Sequence, residues 1–267
     1  TDNSQTIIDC LMKGAQRDYT LAYRCKIETV QKKDDGEFVI ILKDGGEIRA
    51  KNVLITTGSS KEFLSLLKDM GHKIVDPVPS LFTFNIPDHP LVDLSGVCVQ
   101  KTKVSLPQFK MEMEGPTLIT HWGFSGPAIL KLSSWAAKEL HAASYHVKCL
   151  IDWVPEFSEE GIREEILKKT QGRQTKSIFN DSLNIIPKQL WKAFLKEIGI
   201  GDKMVWQNLS KKFRDALVLK LKKDVYQVSG KTTHKQEFVT CGGIKLSEVN
   251  FKKMESKVVP GLYFAGE

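Results

Sequence analysis

The stretch Thr240–Glu267, TCGGIKLSEVNFKKMESKVVPGLYFAGE, decides how the rest of the chain is read. Its paired glycines, Gly242 and Gly243, predict a turn, and a polar connector follows. Gly261–Glu267 (GLYFAGE) then predicts a buried strand ending in small residues and one carboxylate. In open α/β sheets, ligands lie outside the carboxyl ends of the strands. Gly266 has no side chain to keep its backbone away from a ligand, and Glu267 is able to accept hydrogen bonds from a sugar hydroxyl. The plainer alternative is a core strand whose last residue is a solvated acid.

Working outward, Asn52–Ser60 (NVLITTGSS) predicts a second buried strand that runs into a Gly/Ser turn. Lys61–Gly71 predicts a helix closed by Gly71. Upstream, Ile7, Ile8, Leu11 and Met12 give Ser4–Arg17 a helical spacing. Leu21–Val30, Phe38–Leu42 and Glu47–Ala50 predict strands joined by Asp/Gly turns into a small meander. This order is the later part of a nucleotide-binding α/β unit. The GxGxxG phosphate fingerprint is absent; Gly123-Phe-Ser-Gly126 comes nearest, in the wrong context.

From Val75 the texture changes, and prolines punctuate short strands out to about Val154. Within that region THWGFSGPAIL (Thr120–Leu130) breaks from a strand into glycine turns, and Pro127 starts a helix. Ser158 to about Asp224 turns helical, with Ser210 before a long amphipathic run. The expected fold class is mixed α/β and α+β. Residues 1–76 with 238–267 form a partial Rossmann-like domain, 77–156 an inserted mainly-β subdomain, and 157–237 an inserted helical subdomain with its return strand.

The 267 residues are 41% hydrophobic and 27% charged, as in soluble globular proteins. No stretch approaches the ~18 uninterrupted apolar residues of a membrane span. The N-terminus carries no secretory signal and opens inside a helix without Met, which reads as a piece of a longer protein. Five cysteines form no CxxC pair, which argues against a zinc site or disulfide framework and for a reducing, intracellular, cytoplasmic setting. A removed organelle-targeting segment is compatible with the same reading. The net charge of +7 permits an anionic partner, and its surplus is concentrated in Lys188–Lys235. A solvated helix face is the commoner explanation of such a surplus.

Taken in order, IIDCLMKGA, VLITTGSS, MGHKIVDPVPSLFTF, THWGFSGPAIL, IIPKQLW and the Thr240–Glu267 stretch resemble the BaiN-like NAD(P)/FAD-dependent oxidoreductases. These are a branch of the two-dinucleotide-binding-domain flavoproteins, and the resemblance runs from Thr1 to Glu267. It implies FAD and NAD(P)H as cofactors and hydride transfer through the flavin to a small organic acceptor. It also implies cofactor-binding positions. Ile27 falls at the adenine, Thr57 and Gly58 at the adenosine and pyrophosphate turn, Gly242 and Gly243 near the isoalloxazine, and Gly266 and Glu267 at the flavin. The sequence departs from the family in lacking the N-terminal glycine fingerprint, the segment that closes over the flavin after GLYFAGE, and the longer glycine-rich loop after Thr57–Gly58.

A flavin carries the hydride chemistry itself, so no nucleophile triad or carboxylate pair is required. His121, beside a glycine turn, is the candidate catalytic residue, able to bond the substrate or move a proton; a structural role at that turn is the alternative. Ser125 is open between substrate contact and helix cap, and Cys241 between a redox thiol and a small buried residue. His72 reads as a helix-end residue facing the dipole. No histidine spacing indicates a metal. The rival to a small-molecule reductase is a nucleic-acid-binding or RNA-modifying flavoprotein gripping phosphates through its basic helical insert. A third reading is a catalytically silent scaffold.

Overall fold

The computed structural model describes residues 3–15, 19–172, 176–232 and 239–266. The chain divides into two compact units: Thr1–Val75 with Ile244–Gly266, and Asp76–Gly243. Strands β5 (Ile74–Ser80) and β13 (Val239–Ile244), which carry the chain between the units, pair with each other. Among the described residues no helix is long and apolar enough to cross a membrane.

In the first unit α1 (Ser4–Ala15) precedes an antiparallel meander of β1 (Ile27–Lys32), β2 (Phe38–Leu42) and β3 (Glu47–Ala50). The central strand, FVIIL, supplies the buried Phe38, which packs with Val30, Leu67, Val259 and Leu262. Gly45, at φ +88°, turns the second hairpin. Leu21–Lys26 was expected to extend β1 but lies outside the strand: Leu21 and Tyr23 are exposed, so no core face holds them in a ladder.

A second sheet has the order β14 (Val249–Asn250), β15 (Glu255–Ser256), β16 (Leu262–Phe264), β4 (Val53–Ile55). β16 and β4 run parallel, with Leu262 opposite Val53 and Phe264 opposite Ile55. The sequence predicts β4 as buried, yet Leu54 is 60% exposed: side chains alternate along a strand, and Val53 and Ile55 take the face that packs on the core.

α2 (Lys61–Asp69) follows β4. It ends as Gly71 predicts: the Gly71 amide donates to Lys68 O and the His72 amide to Leu67 O, with Gly71 at φ +95°. This is a Schellman closure, and it turns His72 into the unit.

The second unit is a seven-stranded antiparallel sheet ordered β11–β10–β7–β8–β9–β6–β12. The strands are β6 (Thr83–Asn85), β7 (Cys98–Leu106), β8 (Met111–Ile119), β9 (Gly123–Ser125), β10 (His146–Asp152), β11 (Asp224–Ser229) and β12 (Lys231–Thr232). β11 and β12 occupy opposite edges, yet only Gly230 separates them in sequence. The Gly230 amide donates to Tyr145 O at 3.0 Å and its carbonyl accepts from the Asn85 amide at 3.2 Å. One glycine thus joins both edges, and the sheet closes on itself as a barrel, which removes its free edges.

The barrel core holds Phe84, Phe124, Ile119, Trp153 and Tyr226, capped by α3 (Pro127–Trp135) and α4 (Ala137–Ala142). Between β10 and β11 the chain forms α5 (Glu159–Gln171), α6 (Lys188–Glu197) and α7 (Lys211–Lys222). Their apolar faces, including Ile162, Ile166, Trp191, Phe194, Leu217 and Leu221, belong to the same buried cluster as the barrel. Barrel and helices are one body on one core.

Candidate functional site

The parallel pair β4–β16 brings two of the expected cofactor positions together. The Ala265 amide donates to Ile55 O at 3.1 Å, so the chain ends Thr56–Gly58 and Ala265–Gly266 leave the sheet side by side at the strands' carboxyl ends. Thr57, Gly58 and Gly266 are exposed. Gly58 has φ +59° and Gly266 φ +120°, and a Cβ built on either meets no atom within 4 Å. Both conformations favour glycine, and open space faces both. α2 begins just beyond, at its N-cap Ser60, so main-chain donors and the positive end of a helix lie in sequence after the Gly58 turn. Glu267 lies outside the described residues.

Ile27 starts β1 opposite Leu42, its side chain half-buried against the unit's core. The ladder shifts register between Ile27 and Thr29, and Thr29 Oγ1 is buried without a partner among the described residues. Gly242 and Gly243 lie inside β13 at φ +137° and +103°, so the expected turn is instead a strand of unusual backbone. Glycine alone enters such a ladder cheaply at positive φ. Cys241 beside them is half-buried.

His121 belongs to the second unit, in the turn between β8 and β9. Both His121 and Trp122 are exposed, Trp122 by 59%. The turn is held by Thr120, whose Oγ1 accepts from the Trp122 and Gly123 amides at 3.3 and 3.2 Å and whose amide donates to Gly123 O at 2.7 Å. A Cβ on Gly123 would fall 2.2 Å from Phe84 O, so only glycine fits between β6 and β9. No hydrogen bond engages the His121 ring among the described residues. The turn is therefore held by Thr120 rather than by His121. The N-cap of α3 is Gly126, without a side-chain cap, so Ser125 does not cap that helix.

The arrangement most hidden from sequence is around His72. Its side chain is fully buried, with Nδ1 3.0 Å from Glu248 Oε2 and Nε2 3.0 Å from Ser256 Oγ. That connectivity is the one a serine nucleophile triad uses. Here, however, Ser256 is 4% exposed and its Oγ already accepts from the Val258 and Val259 amides at 3.0 and 2.7 Å. With both lone pairs occupied, its proton goes to Nε2, and Nδ1–H donates to Glu248. The Lys73 amide, then His72, hold the Glu248 carboxyl below the ordinary glutamate range. The His72 ring meets Phe264 edge-on at 5.5 Å. His72 sits at the end of α2 as its sequence context implies, but its side chain, instead of facing the helix dipole, clamps β15 and β16 behind the Gly266 end. The contacts are 176 and 184 residues away in sequence, and no local signal gives them.

A second polar network joins the barrel strand β11 to α6 and α7. Lys220 Nζ sits 2.6 Å from Glu197 Oε2 and 2.9 Å from Asp224 Oδ1. Trp153 Nε1 donates to Asp224 Oδ2 at 2.9 Å, and the Tyr226 hydroxyl donates to the same oxygen. His89 Nδ1 accepts from the Leu91 amide, leaving Nε2–H to face Glu197 at 3.2 Å. Burial holds the Asp224 carboxyl above the ordinary aspartate range, against the pull of Lys220. Burial, then Asp224, pushes the Tyr226 phenol well above its usual range. Burial also acts to raise Glu197, but the bonds from His89 and Lys220 outweigh it and leave that carboxyl low. The basic surplus of the insert is thus partly internal: Lys220 here, Lys222 on Asp152 and Lys223 on Glu159.

A closed antiparallel barrel carrying an inserted set of helices defines the class of protein. A family model described as "HI0933-like protein barrel and H2TH domain" matches residues 78–239, and the chain belongs to that family, in agreement with its BaiN-like motifs. A ribosomal RNA dihydrouridine synthase of Haemophilus influenzae is 27% identical over 253 residues, which cover 91% of this chain and 59% of the relative. A ribosomal RNA dihydrouridine synthase of Escherichia coli is 26% identical over 282 residues, covering 100% and 66%. A 3-dehydro-bile acid delta(4,6)-reductase of Clostridium scindens is 23% identical over 278 residues, covering 100% and 67%. The chain spans about three fifths to two thirds of the length of these curated relatives.

Proposed function

We propose that the protein is a flavin-dependent reductase that saturates a ring C=C bond conjugated to a carbonyl, with uridine in RNA as the acceptor. The observation that carries the flavin part is the parallel β4–β16 pair, whose glycine-bearing ends open side by side into free space. FAD, when bound, supplies the two-electron step between NAD(P)H and the acceptor.

The residues present fit such a group. Gly58 and Gly266 admit a pyrophosphate close to main chain, Thr57 offers a hydroxyl beside it, and the register shift at Ile27–Thr29 leaves polar groups for an adenine. In this reading Glu267, next in sequence, accepts from a ribityl hydroxyl. Gly242 and Gly243 leave the β13 backbone uncovered by side chains for the flavin ring.

Two relatives are ribosomal RNA dihydrouridine synthases and one is a bile acid reductase. Uracil and a 3-keto-4,6-diene share a C=C in conjugation with a carbonyl. Each reduction adds a hydride to one carbon and a proton to another, so one chemistry serves both. The excess of 39 Lys and Arg over 32 Asp and Glu favours the polyanion. In this reading His121 delivers the proton or bonds the carbonyl, and the exposed Trp122 offers a flat face on which a base stacks. The bile acid relative, aligned over all of this chain, favours a second reading in which the acceptor is a conjugated ketone.

The test is to incubate the protein with FAD, desalt it, and record the visible flavin band. The band is then bleached with NADPH without oxygen and challenged with uridine-containing RNA or a conjugated steroid ketone. Retention of the band and its return with RNA are expected. Failure to retain flavin refutes the reading, and return with the steroid alone replaces it by the second.

A further inference from the structure

In the second unit, α5 and α7 leave a cleft of about 260 Å³ lined by Arg163, Ile166 and Leu167 on one side and Lys211, Arg214, Asp215 and Val218 on the other. These positions share a face on each helix, since residues three and four apart lie one above the other. Arg163 is bonded to Asp215, so that pair is internally neutral. Lys211 and Arg214 carry no ion pair among the described residues, which leaves two uncompensated positive charges in the cleft. Arg214 Nε is buried without a hydrogen-bond partner among the described residues. Closed to solvent as it stands, it leaves the terminal guanidinium nitrogens to meet an acceptor from outside.

The same end of the cleft is the start of α7. Ser210 caps it, accepting from the Phe213 amide at 3.4 Å, and the first turn holds no acidic residue. The helix dipole therefore adds positive potential to that of Lys211 and Arg214. Opposite stands an apolar wall on which Leu167 is 40% exposed. A guanidinium with an open donor, an ammonium and a helix N-terminus beside an apolar wall match a phosphodiester with its sugar or base laid alongside.

We infer that the α5–α7 cleft grips the phosphodiester backbone of RNA. This rests on RNA as the substrate and adds where the polymer is held, apart from the reacting base. Arg214 takes the phosphate through its terminal guanidinium nitrogens, Lys211 neutralises it, and the Arg163–Asp215 bond holds Arg163 at the rim.

The experiment measures binding of a 20-nucleotide single-stranded RNA to the full protein across a salt series. The K211Q/R214Q variant is compared with K138Q/K148Q, which removes two exposed lysines of the barrel without ion pairs among the described residues. Each phosphate contact on a single strand contributes a slope of about 0.7 in log affinity against log salt. Losing two lowers the slope by about 1.4 and affinity at 0.1 M salt by about 25-fold, with little change in the control pair. Because Arg214 is partly buried, K211E alone provides a variant at an exposed site, with an expected loss of more than fivefold.

Equal effects from cleft and control pairs, or none from either cleft variant, overturn the inference. Equally tight, cleft-dependent binding of uridine monophosphate also overturns it, in favour of a small-anion pocket. RNA binding that depends on the cleft in a protein that reduces no uridine upholds the inference and refutes the reductase reading. Uridine reduction unaffected by cleft variants does the reverse.

Discussion

Replacing Lys220 with methionine removes a cation that bridges two carboxylates, Glu197 on α6 and Asp224 on β11. Lys220 lies 2.6 Å from Glu197 and 2.9 Å from Asp224, and its own side chain is only 12% exposed. Methionine keeps much of the stem's packing against Phe194 and Tyr226, over whose rings the ammonium sits at 5.1 and 5.4 Å. Removing one partner of a buried pair costs about 3–5 kcal/mol. Asp224 keeps its bonds from Trp153 and Tyr226, and Glu197 keeps His89, so the lower end, about 3 kcal/mol at pH 7, is expected.

The loss depends on pH with a definite sign. Without Lys220 the Asp224 carboxyl, already raised by burial, rises further above its unfolded value. A group raised in the folded state contributes stability that is present below the unfolded pKa and lost as pH rises through the folded one. The variant therefore approaches wild type on acidification, by up to about 1.4 kcal/mol per pH unit between pH 7 and 5. Urea unfolding followed by tryptophan fluorescence is the assay, because all five tryptophans (122, 135, 153, 191 and 206) lie in the barrel-and-helix unit. A loss below about 1 kcal/mol at pH 7, or one unchanged at pH 5, refutes the account of this network.

Three further outcomes follow from the same structure. His72→Ala leaves Glu248 and Ser256 without their shared partner and opens a cavity beside Phe264, so the first unit loses about 2–4 kcal/mol, read by hydrogen exchange at the β15 and β16 amides. Wild-type protection there falls on acidification, because a carboxyl held low in the folded state, as Glu248 is, contributes stability above its unfolded pKa and loses it as pH drops through the folded one. Gly123→Ala, whose Cβ would overlap Phe84 O, parts β6 from β9 and lowers the barrel's urea midpoint by more than any surface Gly→Ala change, such as Gly201→Ala; equal midpoints would overturn this. Gly266→Val fills the space beside the β4 end and abolishes flavin retention while leaving the barrel's unfolding unchanged, as checked by absorbance and fluorescence.

Local signals carried most of the elements. Gly71 stops α2, Pro127 starts α3, Ser210 caps α7 and Gly45 turns a hairpin, each through backbone chemistry within a few residues. The small exposed residues at Thr57, Gly58 and Gly266 were legible for the same reason, since glycine at a strand end announces an open backbone. What sequence did not give is long-range. Barrel closure through Gly230 depends on partners Tyr145 and Asn85 in distant strands. The His72 clamp joins residues more than 170 positions apart. Leu21–Lys26 has strand-like composition but no partner face to hold it, and β4 reads as buried on both faces although only the Val53 and Ile55 face meets the core. Helical lysines that read as a solvated basic face are split between internal ion pairs, as at Lys220, and an unpaired cleft at Lys211 and Arg214.

The central claim is that this protein reduces uridine in RNA with electrons carried by a bound flavin. The direct measurement is mass analysis of nucleosides from an unmodified ribosomal RNA transcript after anaerobic incubation with the protein, FAD and NADPH. The account predicts uridine carrying two added hydrogen atoms, dependent on both FAD and NADPH. A transcript whose uridines are unchanged, while the flavin is reduced by NADPH and reoxidised by a conjugated ketone, contradicts it.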